Sequence, residues 1–185
     1  MKNKHGVKKI AAPYSGSGLK NQFDTGRKAS KINNGVMFSL IKLRNYLLHR
    51  IAYFFPINNV RVLCHKWRGV KTGKNIFIGL NCVLDHAMPD FIILDDDTRL
   101  AGEVYLLAHS RPSEKFKGKI MSYIAPIHIK EGAWLGIRTT VLPGVTIGKY
   151  AIVTPGSVVL KDVPDYSVVR GNPAEIIRKL NNNKN

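Results

Sequence analysis

Apolar residues recur at every sixth position of the chain from residue 72 onward. The longest series comprises Ile129, Leu135, Val141, Ile147, Val153 and Val159, and a small or β-branched residue stands two positions before each, at Ile127, Ala133, Thr139, Val145, Ala151 and Ser157. Neither the 3.6-residue period of a helix nor the two-residue period of a strand produces this series. A fixed short repeat is typical of a solenoid, in which stacked coils bury a continuous core.

The same phase continues upstream, with two interruptions. Its members there are Ile78, Leu84, Leu94, Leu100 and Leu106. Four extra residues separate Leu84 from Leu94, and seventeen separate Leu106 from Ile129. A β-sandwich with six-residue strands would not keep this phase over six rungs. Since insertions in a solenoid emerge as loops, often on the binding face, we predict a loop at residues 110–126 near a functional site.

The N-terminal third of the chain follows a different pattern. We predict a disordered leader at residues 1–34, an amphipathic helical region at 35–71, and within it a helix over 36–55 that Pro56 ends. Its polar side carries Ser39, Lys42, Asn45, His49 and Arg50, opposite Leu40, Leu43, Leu47, Ile51 and Phe54. Each of its three cationic side chains would cost roughly 2.5–3.5 kcal/mol near a bilayer centre, so a spanning helix is not expected. The helix either packs on the following domain or lies on a membrane surface.

The N-terminal third and the repeat region also differ in net charge. The formal net charge is +17, and residues 1–72 hold fifteen Lys and Arg against one acid, Asp24, whereas residues 73–185 hold fourteen against eleven. Such asymmetry indicates an anionic partner, and we expect residues 1–55 to contact an anionic membrane. Nucleic acid is not expected, because no RNA-binding motif with interleaved aromatic residues is present. With no apolar signal segment in the first thirty residues, we expect a cytoplasmic protein, peripheral at the inner face of the cell membrane.

Three stretches near the end of the chain resemble the hexapeptide-repeat acyltransferases. They are Trp134-Leu135-Gly136, Leu142-Pro143-Gly144-Val145-Thr146-Ile147-Gly148, and Gly156–Pro164 followed by Gly171-Asn172-Pro173-Ala174. The branch most similar is that of sugar O-acetyltransferases such as maltose and galactoside O-acetyltransferases, and the resemblance covers residues 72–180. It implies an all-β fold, namely a left-handed parallel β-helix at residues 72–172, closed by a short C-terminal helix and tail at 173–185. It also implies a homotrimer whose active sites lie between neighbouring subunits.

The resemblance implies an acetyl-CoA-dependent O-acetyltransferase that acts on a saccharide. We expect the acceptor to be a bacterial surface polysaccharide or its lipid-linked precursor. His109 stands at the start of the long loop, in the place of the family's catalytic histidine, and an imidazole with a pKa near 6.5 is suited to proton abstraction at neutral pH. The alternative for His109 is a loop histidine that bonds to a backbone carbonyl. Transfer would be direct, because no Cys or Ser forms a nucleophile motif with His109.

Residues of the acceptor site are also implied by the resemblance. Asn81 and Asp85 match a segment that contacts the acceptor sugar, although this chain is one residue shorter there, and His86 is a candidate to assist. Asp85 has two other interpretations: it orients His109, or it hydrogen-bonds its own turn. No set of side chains has metal-ligand spacing, so no metal is expected.

The family's acetyl-CoA groove lies along the later coils. The positions carried over are Trp134, Gly136, Ile137, Thr154, Pro155 and Leu160, with Lys161 and Arg178 as partners for CoA phosphates. Pro155 has no N–H, so one backbone donor is missing if the groove uses that amide. Trp134 equally fits plain wall packing.

Two other functions remain open at this stage. The same fold could acetylate the amine of an amino sugar, or serine or a small xenobiotic. A solenoid without catalytic activity could use the basic N-terminal third for scaffolding.

Overall fold

A computed structural model describes residues 10–11, 35–113, 115, 119 and 123–181. Two α-helices, α1 (Gly35–Phe54) and α2 (Asn58–Trp67), precede a stack of very short strands. The strands are β1 (Ile10–Ala11), β2 (Lys71–Thr72), β3 (Phe77–Ile78), β4 (Val83–Leu84), β5 (Ile92–Leu94), β6 (Arg99–Leu100), β7 (Tyr105–Leu106), β8 (His109–Ser110), β9 (Tyr123–Ile124), β10 (Ile127–Ile129), β11 (Trp134–Leu135), β12 (Thr140–Val141), β13 (Thr146–Ile147), β14 (Ile152–Val153), β15 (Val158–Val159), β16 (Ser167–Arg170) and β17 (Glu175–Lys179). A 3-10 turn, Pro89–Phe91, precedes β5.

Successive strands from β2 to β15, apart from β8 and β9, belong in turn to three sheets of parallel strands, so each sheet receives one strand from every coil. The sheet orders are β13-β10-β5-β2, β16-β14-β11-β6-β3 and β15-β12-β7-β4, with β17 added to the edge of the second. The chain therefore winds as a parallel β-helix with three faces. Thr140 pairs with Val158, eighteen residues further on, which is the length of one regular coil.

The strand registers confirm both predicted insertions. Val83 pairs with Tyr105 rather than with the residue eighteen positions on, so this coil contains the four extra residues. Tyr105 in turn pairs with Thr140, which leaves the seventeen extra residues between β7 and β10. The loops therefore leave the coil where the apolar period is interrupted.

The six-residue series forms the core of the β-helix. Leu84, Leu100, Leu106, Leu135, Val141, Ile147 and Val153 are all 0% exposed, as are the smaller Ala133, Thr139, Ala151 and Ser157. At Gly136 a Cβ atom would lie 2.6 Å from the backbone nitrogen of Pro155, so the coils approach too closely there for any side chain. At Gly156 the requirement is different, because its φ of +71° favours glycine.

The predicted C-terminal helix is wrong. Glu175–Lys179 form strand β17, which runs antiparallel to β16. The last parallel strand of a β-helix exposes unpaired backbone N–H and C=O groups, and β17 satisfies those of β16. The β-branched Ile176 and Ile177 are also better suited to a strand than to a short helix.

The prediction of a disordered leader is wrong at Ile10–Ala11. These residues form β1, which pairs antiparallel with Tyr123–Ile124, and β9 in turn pairs with His109–Ser110. The rest of residues 1–34 lie outside the described residues. The predicted loop at 110–126 is thus tied at its base by a three-stranded antiparallel sheet that includes His109.

Helix α1 is present as predicted and packs on α2 and the first coil. Its inward side contains the apolar Phe38 and Ala52, each 2% exposed, and also the polar Asn45 at 5%, whereas Leu43 is 56% exposed. Within the described residues, no helix has the length and apolar character needed to cross a bilayer. α2 is held by Arg61, which donates hydrogen bonds to the carbonyl oxygens of Ile78 and Phe55, each at 2.7 Å.

Candidate active site

A histidine–carboxylate pair lies at the base of the long loop. His109 Nδ1 is 2.6 Å from Asp85 Oδ2. Asp85 directly follows β4, and His109 stands three residues after the neighbouring strand β7, so stacking of these strands brings the two side chains to one corner of the β-helix. The His109 side chain is 31% exposed and that of Asp85 only 1%. The imidazole is therefore accessible while its carboxylate partner is enclosed.

Asp85 is held in place by backbone donors. Its Oδ1 accepts hydrogen bonds from the N–H groups of Ala87 at 2.9 Å and Met88 at 3.0 Å, and its Oδ2 accepts one from Ala108 at 2.8 Å. Burial acts to raise the pKa of Asp85, but the hydrogen bond and charge of His109 and the backbone N–H groups outweigh it and lower the pKa. The carboxylate is thus ionised and turned toward His109. This arrangement favours orientation of His109 over direct contact of Asp85 with a sugar.

The carboxylate determines how His109 carries its proton. An ionised carboxylate only accepts hydrogen bonds, so Nδ1 of His109 is the protonated nitrogen and Nε2 keeps a free lone pair. The hydrogen bond that His109 donates to Asp85 raises the pKa of His109 against the opposing effect of burial. In the neutral form of His109, Nε2 is therefore the nitrogen that can accept a proton.

Of the other two residues predicted for the acceptor site, His86 lies at this corner and Asn81 lies at a different one. The rings of His86 and His109 meet edge to face, with centroids 6.2 Å apart. Asn81 lies in the corner turn before β4, at φ +59°, and its N–H binds the carbonyl oxygen of Tyr53 at 3.0 Å. The whole of β4 separates Asn81 from Asp85 along the chain.

Two cationic side chains from α1 and the end of α2, Lys42 and Arg68, reach the same corner. Neither was predicted from the sequence as a site residue. Arg68 is 2% exposed and donates to the carbonyl oxygens of Asp85 at 2.9 Å and Leu84 at 3.2 Å. Lys42 Nζ donates to the carbonyl oxygen of Ala87, and burial lowers its pKa. Lys42 was visible on the polar side of the predicted helix, whereas Arg68 lies outside every repeat.

Most residues predicted for the acetyl donor lie at two corners of the β-helix. Gly136 and Ile137 precede β12, and Thr154 and Pro155 occupy the same corner one coil later, where Gly136 N–H binds the carbonyl oxygen of Val153 at 2.8 Å. Leu160 and Lys161 follow β15, at the corner column that also contains Asp85 and His109.

The two remaining donor candidates lie on the sheet that ends in β17. Trp134 pairs with Ile152, Ile152 with Val168, and Val168 with Arg178, so one row of the sheet connects them. Trp134 is 50% exposed, so it is not buried wall packing within this chain.

A second histidine–carboxylate pair lies outside this corner. His128 Nε2 is 2.8 Å from Asp95 Oδ2, with the side chains 36% and 37% exposed. In the described part of the chain, no group of three or more His, Cys, Asp or Glu side chains is arranged to hold a metal ion.

Comparison with known proteins confirms the resemblance to the hexapeptide-repeat transferases. Residues 126–161 match the family described as bacterial transferase hexapeptide (six repeats). A Staphylococcus aureus (strain COL) protein named a putative acetyltransferase is 33% identical over 113 residues, which make up 61% of this chain and 56% of that protein. The chain thus spans little more than half the length of this relative.

Solved structures show the same fold. A hexapeptide-repeat acetyltransferase from Vibrio cholerae O1 biovar eltor, complexed with acetyl coenzyme A, matches with a TM-score of 0.66 and 21% identity, over 79% of this chain and 90% of that one. A maltose O-acetyltransferase from Clostridium difficile 630 matches with a TM-score of 0.63 and 21% identity, over 77% and 88%. This likeness implies that the parallel β-helix is left-handed.

Proposed function

We propose that this chain, which carries the repeat of the bacterial transferase hexapeptide family, transfers an acetyl group from acetyl-CoA to a sugar hydroxyl. The observation that supports this most directly is the contact of 2.6 Å between His109 and the buried Asp85. A partly exposed imidazole with a fixed tautomer and a raised pKa is the arrangement that general-base catalysis requires. The relatives named as acetyltransferases support the choice of acetyl-CoA as the donor.

In the proposed reaction, Nε2 of His109 takes the proton of the acceptor hydroxyl. The resulting alkoxide oxygen attacks the thioester carbonyl and forms the new C–O bond, and a backbone N–H stabilises the oxyanion of the tetrahedral intermediate. When the C–S bond breaks, the thiolate of CoA leaves and takes the proton from Nε2. Asp85 stabilises the imidazolium that exists between these two steps, as a buried carboxylate does for a catalytic histidine.

We propose that the donor site is shared between subunits of a homotrimer. Gly136, Ile137, Thr154 and Pro155 occupy one corner of the β-helix, whereas Leu160 and Lys161 occupy the next. The five residue steps from Pro155 to Leu160 span up to about 17 Å along one flat face. One CoA arm could use both groups if the corner of one subunit faces the other corner of its neighbour. Lys161 and Arg178, both exposed, would then meet the phosphates of CoA.

We propose a saccharide of a bacterial surface polysaccharide, or its lipid-linked precursor, as the acceptor. His86, exposed beside His109, and Asn81 are the residues we assign to it, whereas Asp85 acts through His109. The reaction would take place in the cytoplasm at the inner face of the cell membrane, and the basic N-terminal third of the chain supports this location.

The test is release of CoA thiol by the full chain, with acetyl-CoA as donor and a panel of neutral sugars and amino sugars as acceptors. His109→Ala is expected to lower kcat by about 10²–10⁴-fold while binding of CoA, measured by calorimetry, is retained. His128→Ala is the matched control, because it removes a histidine that also contacts a carboxylate.

Undiminished turnover in His109→Ala would remove His109 from the mechanism. Preference for the amine of an amino sugar over every hydroxyl would instead establish the N-acetyltransferase alternative. Absence of both CoA binding and turnover in the unaltered chain would exclude the proposed function.

A further inference from the structure

Helix α1 is attached to the protein through a side that mixes apolar and polar residues, since Phe38 and Ala52 are each 2% exposed and Asn45 is 5% exposed. Asn45 is buried and its Nδ2 donates to the carbonyl oxygen of Arg68 at 3.4 Å. Lys42 binds the carbonyl oxygen of Ala87, and His49 Nδ1 lies 3.3 Å from Arg68 Nη1. These contacts fix which side of the helix faces away from the β-helix.

The side that faces away is apolar. Leu40, Leu43, Leu47, Ile51 and Phe54 are 58%, 56%, 52%, 45% and 60% exposed, and we call them the α1 stripe. At about 100° per residue, their spacing places them within an arc of about 80°. The stripe is therefore continuous along the helix, and exposed continuous apolar surface of this kind marks an interaction site.

Positive charge surrounds the α1 stripe. Arg44 and Arg50 are exposed and lie on its two flanks by the same helical spacing. Residues 35–84 contain no Asp or Glu, and their exposed cationic side chains are Arg44, Arg50, Lys66, Lys71 and Lys74. A contact between the stripes of two copies would bring like charges together, so the two stripes would repel each other. An anionic lipid surface offers both apolar acyl chains and negative charge.

We infer that the α1 stripe docks this protein on an anionic membrane surface. The helix lies in the plane of the interface, with the stripe among the acyl chains and Arg44 and Arg50 at the level of the head groups. The polar contacts of Asn45, Lys42 and His49 keep the catalytic domain on the water side of the helix. This inference deepens the membrane location proposed for the enzyme, but it does not depend on acetyl transfer.

The experiment measures flotation of the full chain with vesicles. The probes are vesicles of phosphatidylcholine mixed with phosphatidylglycerol and vesicles of phosphatidylcholine alone. Leu43→Gln/Leu47→Gln is expected to reduce binding to the anionic vesicles by at least about tenfold, because two apolar side chains no longer enter the interface. High salt is expected to weaken binding of the unaltered chain, since exposed charge attraction is screened.

The matched control is Ile176→Gln/Ile177→Gln, which removes two other apolar side chains that are each 50% exposed, on the last strand of the chain. It is expected to bind vesicles like the unaltered chain. Glutamine is a good helix former and both leucines are exposed, so the α1 variant should keep its fold, which circular dichroism checks.

Equal vesicle binding by the α1 variant and the unaltered chain would overturn the inference. A smaller oligomer of the α1 variant in light scattering, with vesicle binding unchanged, would assign the stripe to a second copy of the chain instead. Acetyl transfer to a soluble sugar is expected to be the same in both variants. Failure of the membrane test therefore leaves the proposed function intact, and the converse also holds.

Discussion

Two histidine–carboxylate pairs in this molecule have nearly the same contact distance but different surroundings. His109 and Asp85 are 2.6 Å apart, and His128 and Asp95 are 2.8 Å apart. Asp85 is enclosed and Asp95 is 37% exposed. Water competes for an exposed carboxylate, whereas a buried one keeps a single orientation and acts on its partner with little screening. The distance between the histidine nitrogen and the carboxylate oxygen therefore does not by itself identify a catalytic pair.

The two pairs also differ in what builds their surroundings. His128 lies on strand β10 and Asp95 directly follows strand β5, so both belong to the repeat itself. The corner of Asp85 is built by parts of the chain outside the repeat, namely the four-residue insertion, the base of the long loop, and Arg68 and Lys42 of the helical layer. The repeat therefore supplies a scaffold, and the departures from the repeat supply the site.

The largest expected effect is on catalysis. Asp85→Asn should lower kcat/KM by roughly 10²–10⁴-fold, because an amide no longer stabilises the imidazolium and can hold His109 in the other tautomer. Initial rates of CoA release with saturating acetyl-CoA measure this effect.

Asp95→Asn is the matched control for that substitution. It alters a carboxylate that contacts a histidine but lies outside the proposed site, so kcat/KM should stay within about threefold of the unaltered chain. Equal losses in the two variants would show that burial does not distinguish the pairs.

The next effect is on stability, and it distinguishes the buried Arg68 from the exposed Arg138. Arg68 is buried, and burial lowers its pKa to about 10. Arg68→Met should reduce the free energy of unfolding by about 2–4 kcal/mol, because the carbonyl oxygens of Leu84 and Asp85 lose a charged donor. Urea denaturation followed by circular dichroism measures it.

Arg138→Met removes a different kind of contact. Arg138 Nε is 2.6 Å from Glu103 Oε2, but the arginine side chain is 71% exposed. Exposed ion pairs contribute little, so the urea midpoint should not change measurably. A larger loss for Arg138→Met than for Arg68→Met would contradict the view that Arg68 supports the corner.

The repeat made the coils predictable from sequence. Each buried position of a coil must be filled by an apolar residue, so the period and its two interruptions appear directly in residues such as Leu84, Leu94 and Leu106. His109 could be predicted as a site residue because it stands where the second interruption begins and matches the histidine that the resemblance implies. The partners of His109 were less visible: Asp85 had three interpretations, and only burial and the backbone donors favour one of them.

The parts outside the repeat depend on partners that the sequence does not reveal. The helical pattern of α1 predicted the helix but could not show that Asn45 is buried beside Phe38 and Ala52 while the leucines of the other side are exposed. Asn45 and Lys42 are drawn inward by the carbonyl oxygens of Arg68 and Ala87, which come from other segments. In the same way, Glu175–Lys179 became a strand because β16 offers an open edge, a tertiary effect that overrides local preference.

A smaller effect should appear in the pH dependence of kcat/KM. His109 acts as a base only when Nε2 is unprotonated, so activity should fall as the pH drops through its raised pKa. In Asp85→Asn the residual activity should fall at a lower pH than in the unaltered chain, because the group that raises the pKa is gone. An unchanged acid limb would mean that Asp85 does not tune His109, whereas Asp95→Asn should leave the limb in place.

The smallest effect is on stability as a function of pH, and here three histidines act in opposite directions. Burial lowers the pKa of His49 to about 4 and that of His65 well below its usual value, so their contribution to stability is present above pH 6.5 and is lost on acidification. The raised pKa of His109 contributes stability below pH 6.5 that is lost as the pH rises through that pKa. Because His49 and His65 together outweigh His109, the urea midpoint of the unaltered chain should decrease from pH 6.5 to pH 5. In His49→Gln this decrease should be smaller, by up to about one proton in the slope of the unfolding free energy against pH. A fall equally steep in His49→Gln and in the unaltered chain would mean that burial does not lower the pKa of His49.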